Sequence, residues 1–396
     1  MDRAEGASAE ESPLARVVMP LVLASQLSLP SDLATVIAES LAGLGASEVD
    51  VYVVDHQLSV LVATPGSHHV DTDEHRLAID GSPPGRCFEH QETVVTGNRI
   101  HLPISEGADR LGVLALTLDP DMAPERIVLD EAAVVIGQLL SNRDQYTDTY
   151  IRTRRLQPMQ LRAEMQWNLL PPLNLSCRAV SVAGLLEPAY HIGGDAFDYA
   201  LNGDVLHFAI FDSMGHDLAA SLVASLAVAA YRNCRREGVG FDATLEAIDT
   251  AIADQFGGEK FVTLQFGELD TSTRICRWVN AGHPLPVLSR STDIVGQVGC
   301  APSVPAGLGA RVVETAELQM RPDDALLLYS DGTTEARDVD GGQFGEERLQ
   351  TLFATGRREG QLPADIVRRI LFEVVAHERE PLRDDATVLL ITLPRD

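Results

Sequence analysis

Residues 191–217 read HIGGDAFDYALNGDVLHFAIFDSMGHD. Two β-like runs stand here, AFDYAL and VLHFAIF, and each has an aspartate at one end. Asp195 follows two glycines and opens the first run, while Asp212 closes the second. The same arrangement recurs downstream. Asp331 closes ALLLYS and is followed at once by Gly332, and Asp384 and Asp385 open ATVLLITL. In an antiparallel sheet the end of one strand lies beside the start of its neighbour. Two aspartates at strand ends and two at strand starts are therefore expected to share one rim.

Further β-like runs are Ala179–Leu185, Val262–Leu269 and Arg274–Asn280. Helical patterns interrupt them. Leu218 to Arg235 is apolar nearly all round and is expected to be buried; Phe241, Leu245, Ile248, Ile252 and Phe256 mark one face of a second helix; Ile366, Ile370, Val374 and Val375 mark a third, with Pro363 in its first turn. Strands without regular βαβ alternation favour an antiparallel, layered α+β arrangement over a doubly wound sheet.

Carboxylates gathered on one rim repel one another unless cations neutralise them. Hard cations such as Mg²⁺ or Mn²⁺ take all-oxygen ligands and keep several waters. Two such ions align a water-derived nucleophile with phosphorus. An Asp beside Gly at a strand end is, taken alone, most often a turn residue, so spacing by itself does not assign a metal site.

HIGGDAFDY, FDSMGHD, NAGHPLP, YSDGTTEARD, FGEERL and RDDATVLL occur in that order, and the order resembles the SpoIIE/RsbU-like members of the PPM-type phosphatases. The resemblance runs from about Leu170 to the C-terminus. It implies an αββα sandwich with a binuclear Mn²⁺ or Mg²⁺ centre at one edge. Carried over residue by residue, it makes Asp195, Asp212, Asp331 and Asp384 the catalytic metal ligands, with Ser213 lending its backbone carbonyl. Asp385 stands where the family has Asp or Asn and ranks behind Asp384. Gly193 and Gly194 allow close backbone approach, and Asn280, Gly282 and His283 form a structural or substrate-proximal turn. One position departs from the pattern: Asp217, preceded by His216, replaces the last glycine of DxxGxG, and Asp is a good N-cap residue. The resemblance of GGDAF to a diguanylate cyclase signature fails at Ala196, where an acid is required.

Towards the N-terminus, residues 1–14 look like a loose tail, and residues 15–141 form an α+β unit. Helical spacing over Leu14–Leu44 precedes strands at Val51–Asp55 and Leu58–Ala63; His68–Arg86 is loop-like and ends in GSPPGR; IHLPIS and Arg110–Leu118 read as a strand pair, and Leu129–Leu140 as a helix. GSPPGRCFEHQETVVTG followed by RLGVLALTLD resembles the second half of a GAF domain, which implies a sensor with a small-molecule ligand or a dimerisation role. Cys87 there reads as a buried small hydrophobe. Residues 142–172 are expected to be one helical linker ending at Pro171-Pro172, with Tyr146, Tyr150, Met159, Met165 and Leu169 as a dimer seam.

The 396 residues suffice for two cores. A formal net charge of −27 disfavours nucleic acid and anionic membranes as partners. Cys87, Cys177, Cys234, Cys276 and Cys300 form no CxxC pair, against zinc or a disulfide framework. No signal-peptide pattern opens the chain, and no apolar run reaches a bilayer-spanning length. The expectation is a cytoplasmic, metal-dependent serine/threonine phosphatase. By resemblance its substrate is a phosphorylated STAS-type anti-anti-sigma factor. The competing expectation is a non-catalytic pseudophosphatase that binds a phosphoprotein.

Overall fold

The computed structural model describes residues 13–118, 126–191, 193–215, 217–378 and 382–395. The expected tail lies almost wholly outside them. The chain divides into two compact units, residues 1–156 and 157–396.

In the first unit the single helix expected over Leu14–Leu44 is two, α1 (Pro13–Leu27) and α2 (Leu33–Ala42). Between them Pro30 starts a short 3-10 turn, because a proline ring lacks the N–H that would continue α1. There follow β1 (Ala46–Val54), β2 (Val60–Ala63), β3 (Arg76–Ala78), α3 (Pro83–His90), β4 (Val94–Thr96), β5 (Arg99–Glu106), β6 (Asp109–Leu118), α4 (Arg126–Asp144) and α5 (Thr149–Arg154). The strands make one antiparallel sheet in the order β3-β2-β1-β6-β5-β4. One face buries Val51, Leu102 and Leu114 against Leu21, Ile37 and Ile136 of the helices. The other buries Tyr52, Val113 and Ala115 against Cys87 and Phe88 of α3. GSPPGR is not the end of a loop: Ser82 caps α3, its hydroxyl accepting from the Gly85 amide at 3.0 Å, and the prolines occupy the first turn where no N–H is needed.

The continuous helix expected over 142–172 does not form. α4 ends at Asp144, α5 at Arg154, and α6 (Leu161–Leu169) begins only after Pro158. The proposed seam is split accordingly. Tyr150 is buried in the first unit and donates to the Pro30 carbonyl at 2.7 Å, Tyr146 is exposed, and Met159 packs into the core of the second unit. These residues lie on separate elements and do not share one helical face, so they form no coiled-coil seam.

The second unit continues with β7 (Asn174–Ser176), β8 (Ser181–Glu187), β9 (Asp195–Asn202), β10 (Val205–Ser213), α7 (Leu218–Glu237), α8 (Phe241–Phe256), β11 (Val262–Asp270) and β12 (Ile275–Ala281). After these come β13 (Val287–Arg290), β14 (Asp293–Gln297), β15 (Ala316–Gln319), β16 (Asp324–Tyr329), α9 (Asp331–Glu335), α10 (Glu346–Glu359), α11 (Pro363–Glu378) and β17 (Ala386–Thr392). Two antiparallel sheets result, β15-β12-β11-β10-β9 and β14-β13-β16-β17-β8-β7.

Every residue of β16 and β17 is buried. Runs apolar on both faces need a layer on each side, and both layers are present. Inside, Leu328 and Leu389 meet Phe197, Phe208 and Ile210 of the facing sheet. Outside, α11 lies on β8 and β17 and buries Ile366, Ile370 and Val374. On the far side α7 and α8 cover the five-stranded sheet, packing Val223, Val228 and Leu245 on Phe211 and Phe266. The architecture is an αββα sandwich. A buried ion cluster fixes α7 to its sheet: Asp198 of β9 accepts from Arg232 at 2.7 Å and Arg235 at 2.5 Å.

Candidate metal centre

The rim is built in two halves, one from each sheet. In the five-stranded sheet Asp195 and Asp212 are direct cross-strand partners of the β9–β10 pair. In the other sheet the Ser330 hydroxyl accepts from the Thr387 amide at 2.9 Å, and the Ser330 amide donates to the Thr387 carbonyl at 3.0 Å. That clasp sets the end of β16 beside the start of β17, and so Asp331 beside Asp384 and Asp385. The strand-end rule therefore operates within each sheet, and stacking of the sheets brings the halves together.

Electrostatics shows that the halves meet. Burial, then Asp331, Asp384 and Asp385 push the Asp212 carboxyl up to about 8. Burial, then Asp212 and Asp385 hold Asp195 far above the ordinary carboxylate range. Asp331 is raised by burial and then by Asp384. Asp212 and Asp331 thus influence each other across the two sheets. Like charges facing one another in a low-dielectric rim disfavour ionisation.

Among the described residues no group of three or more His, Cys, Asp or Glu side chains is set in a geometry that would itself hold a metal ion. Mg²⁺-like ions do not need one, since they bind through one or two carboxylates and keep their waters. Two observations fit the donors to such ions. Asp195 Oδ2 is buried without a hydrogen-bond partner, and the largest influences on Asp212 after burial are other carboxylates. Asp384 is exposed while Asp195 is 1% exposed, so the rim opens to solvent on the Asp384 side.

Asp385, ranked second from sequence, has a distinct job. It is buried, and its Oδ2 accepts from the amides of Gly193 at 2.9 Å, Gly194 at 2.5 Å and Asp195 at 3.3 Å. This one carboxylate holds the loop that presents Asp195. Gly194 permits the approach expected of it: a Cβ there would lie 2.7 Å from the Gly215 carbonyl and 3.1 Å from that of Ser213. Ser213 is itself fixed, its amide donating to Gly194 O at 3.2 Å and its hydroxyl to Ala220 O at 2.9 Å.

Asp217 is the N-cap of α7, its Oδ1 accepting from the Ala220 amide at 2.9 Å. The substitution of the family glycine thus serves the helix and stays out of the carboxylate set; His216 lies outside the described residues. Asn280 and His283 close a tight turn through two reciprocal bonds of 2.8 Å, and the His283 ring pairs with Thr263 at 2.9 Å. Thr263 is the cross-strand partner of Asp212, so NAGH braces the rim from behind. Gln166 of α6 was not foreseen. It is fully buried and donates to the Asp195 carbonyl at 2.5 Å. Its signal was hidden in a segment read as linker.

Residues 202–394 match the family model of Stage II sporulation protein E, SpoIIE. The C-terminal unit is a SpoIIE domain of the PPM phosphatase type. The SpoIIE domain is similar in fold to the SiaA PP2C domain of Pseudomonas aeruginosa, with TM-score 0.50 and 21% identity over 59% of this chain and 94% of that one. Among curated proteins, the phosphoserine phosphatase RsbU of Bacillus subtilis is 19% identical over 259 residues, 65% of this chain and 76% of RsbU. Protein IcfG of Synechocystis sp. is 22% identical over 258 residues, 58% of this chain but only 40% of IcfG. The chain therefore spans less than half the length of IcfG. No helix among the described residues is long and apolar enough to cross a membrane.

Proposed function

We propose that the chain is a metal-dependent serine/threonine phosphatase acting on a phosphoprotein in bacterial signalling, with a phosphorylated STAS-type anti-anti-sigma factor as substrate and the cytoplasm as its location. The observation that carries the reading is the rim of mutually repelling aspartates drawn from two facing sheets. Asp195, Asp212, Asp331 and Asp384 would hold two Mn²⁺ or Mg²⁺ ions, with the Ser213 carbonyl as a further donor. When bound, the ions supply charge neutralisation and Lewis acidity for attack of water on phosphorus. Asp385 keeps Asp195 in place, and Ser330 with Thr387 holds Asp331 beside Asp384 and Asp385. The test is phosphate release from an aryl phosphate with and without Mn²⁺, comparing the wild type with Asp212→Ala. Turnover that needs the metal and disappears in the variant is expected. Binding of a phosphoprotein without loss of its phosphate would favour the pseudophosphatase instead.

The first unit is read as a GAF-like regulatory domain. Two features support this. A cleft of about 500 Å³ opens on the sheet face away from α1, α2 and α4, lined by Tyr52, His69, Glu74, Leu77, Arg99 and His101, and would seat a small-molecule ligand. Met19, Leu23 and Leu27 of α1, spaced one helical turn apart, are exposed and offer a dimer face in place of the expected linker seam. Leu23→Glu should convert a sedimenting dimer to monomer; a wild type that is monomeric at all concentrations removes that role. Regulation unchanged by deletion of residues 1–156 would remove the sensor reading.

A further inference from the structure

α7, apolar nearly all round in sequence, was expected to be well buried, yet its first turn leaves large apolar side chains exposed. Leu218 is 45% and Leu222 47% exposed, and Met214, four residues earlier, is 43% exposed. Val223, Val228 and Tyr231 of the same helix are buried, and Leu226 is half-buried. Leu218 and Leu222 thus form a ridge one helical turn long at the end of α7 that adjoins the aspartate rim, and Met214 adds an exposed apolar side chain from the end of the loop after β10.

We propose that this ridge docks the apolar residues flanking the phosphoserine of a protein substrate; the proposal rests on reading the rim as a phosphatase centre. Continuity with that rim is the first reason. Met214 directly follows Ser213, and its amide donates to the Phe261 carbonyl at 3.1 Å, so the apolar surface begins on the backbone that carries Asp212. A second apolar side chain is presented from across β11. Leu308, 48% exposed, sits on a turn held by Asp249, whose Oδ1 accepts from Gly307 at 2.8 Å, Gly309 at 2.9 Å and Ala310 at 2.7 Å. Gly307 is packed so tightly that a Cβ on it would be 3.3 Å from the Phe261 Cα. Both flanks are therefore fastened at Phe261, immediately before β11, the strand that pairs with β10.

The size of the ridge fits this occupant. One helical turn advances about 5.4 Å and an extended chain about 3.4 Å per residue, so the Leu218–Leu222 turn matches about two residues of bound peptide, and Met214 extends the surface towards the rim. A free small-molecule phosphate seated at the rim would leave the ridge in water. The one lysine of the chain, Lys260, lies at the margin, where its charge helps to hold the Asp217 carboxyl below its usual range, after the Ala220 amide. It offsets the single acid on the ridge.

The experiment compares two synthetic phosphoserine peptides, one with leucines on both sides of the phosphoserine and one with glycine and serine in their place, alongside an aryl phosphate, all with Mn²⁺. The wild type should prefer the leucine peptide by roughly tenfold or more in kcat/KM, the effect of burying one or two leucines. The double variant Leu218→Ser/Leu222→Ser should lose that preference, with each peptide rate referred to aryl phosphate turnover of the same preparation. Leu222→Met should keep it. Equal kcat/KM for the two peptides in the wild type, or a preference that survives the double substitution, would overturn docking alone. Absence of turnover on all three substrates would sink the phosphatase reading and docking with it. Sedimentation velocity covers the other occupant: a wild-type dimer that dissociates in the double variant would assign the ridge to a second copy of the chain and overturn the proposal.

Discussion

Replacing Asp385 by alanine removes a carboxylate that accepts three backbone amides at 2.9, 2.5 and 3.3 Å in a site that is 4% exposed. A hydrogen bond to a charged acceptor is worth about 1.5–3 kcal/mol, and a buried donor left without a partner costs about 1–3 kcal/mol. Counting the two shorter contacts, and allowing that removal of one charge relieves repulsion from Asp384, the expected net loss is roughly 3–5 kcal/mol. For a unit of this size each kcal/mol moves the midpoint by about 2–4 °C, so the expected fall is on the order of 10 °C. Asp385→Asn separates geometry from charge, because its amide oxygen can still accept from the same three N–H groups. It should unfold within about 1 kcal/mol of the wild type. Calorimetry of the full chain with chelator present reads both variants, and Mn²⁺ titration calorimetry reads whether Asp195 has lost its place. Alanine within a degree or two of the wild type, or asparagine as damaging as alanine, would refute the assignment of Asp385 as the clamp of the Gly193–Asp195 loop.

The remaining predictions concern the surroundings of the rim. His283 is 4% exposed and burial holds its pKa down to about 3. Its folded value lies below the unfolded one near 6.5, so the stability of its neutral state is complete above that pH and is lost as pH falls towards 3. Between pH 7 and pH 5 the loss amounts to about 2 kcal/mol, and His283→Gln should remove that share of the slope in urea titrations; an identical slope in the variant refutes it. Gly194→Ala must displace the Gly215 or Ser213 carbonyl, since its Cβ would lie 2.7 and 3.1 Å from them. A weakening of Mn²⁺ affinity by roughly tenfold or more, seen by titration calorimetry, is expected; unchanged affinity would show that the Ser213 carbonyl takes no part in the site.

Strand runs, the helices at Leu218–Arg235, Phe241–Phe256 and Ile366–Val375 and the Asp217 cap were legible because each depends on local periodicity or on a side chain reaching its own helix, although exposure of the first turn of α7 was not. So was the placing of acidic residues at strand ends. Punctuation by proline was misjudged twice: Pro30 breaks the first expected helix and Pro158 stands in the gap between α5 and α6. GSPPGR was misjudged the other way, since prolines preceded by a capping serine start a helix. What the chain alone determined was which residues are apolar on both faces, as in β16 and β17, and hence that layers must lie on each side of them. It also determined that aspartates stand at strand ends. Tertiary structure alone decided that Asp195 and Asp212 face Asp331, Asp384 and Asp385 across two sheets. It alone turned Asp385 inward onto three amides and left Met214, Leu218 and Leu222 in solvent. Side-chain type and spacing are local properties, whereas repulsion between carboxylates some 120 to 190 positions apart in the chain exists only once sheet stacking has removed the water between them.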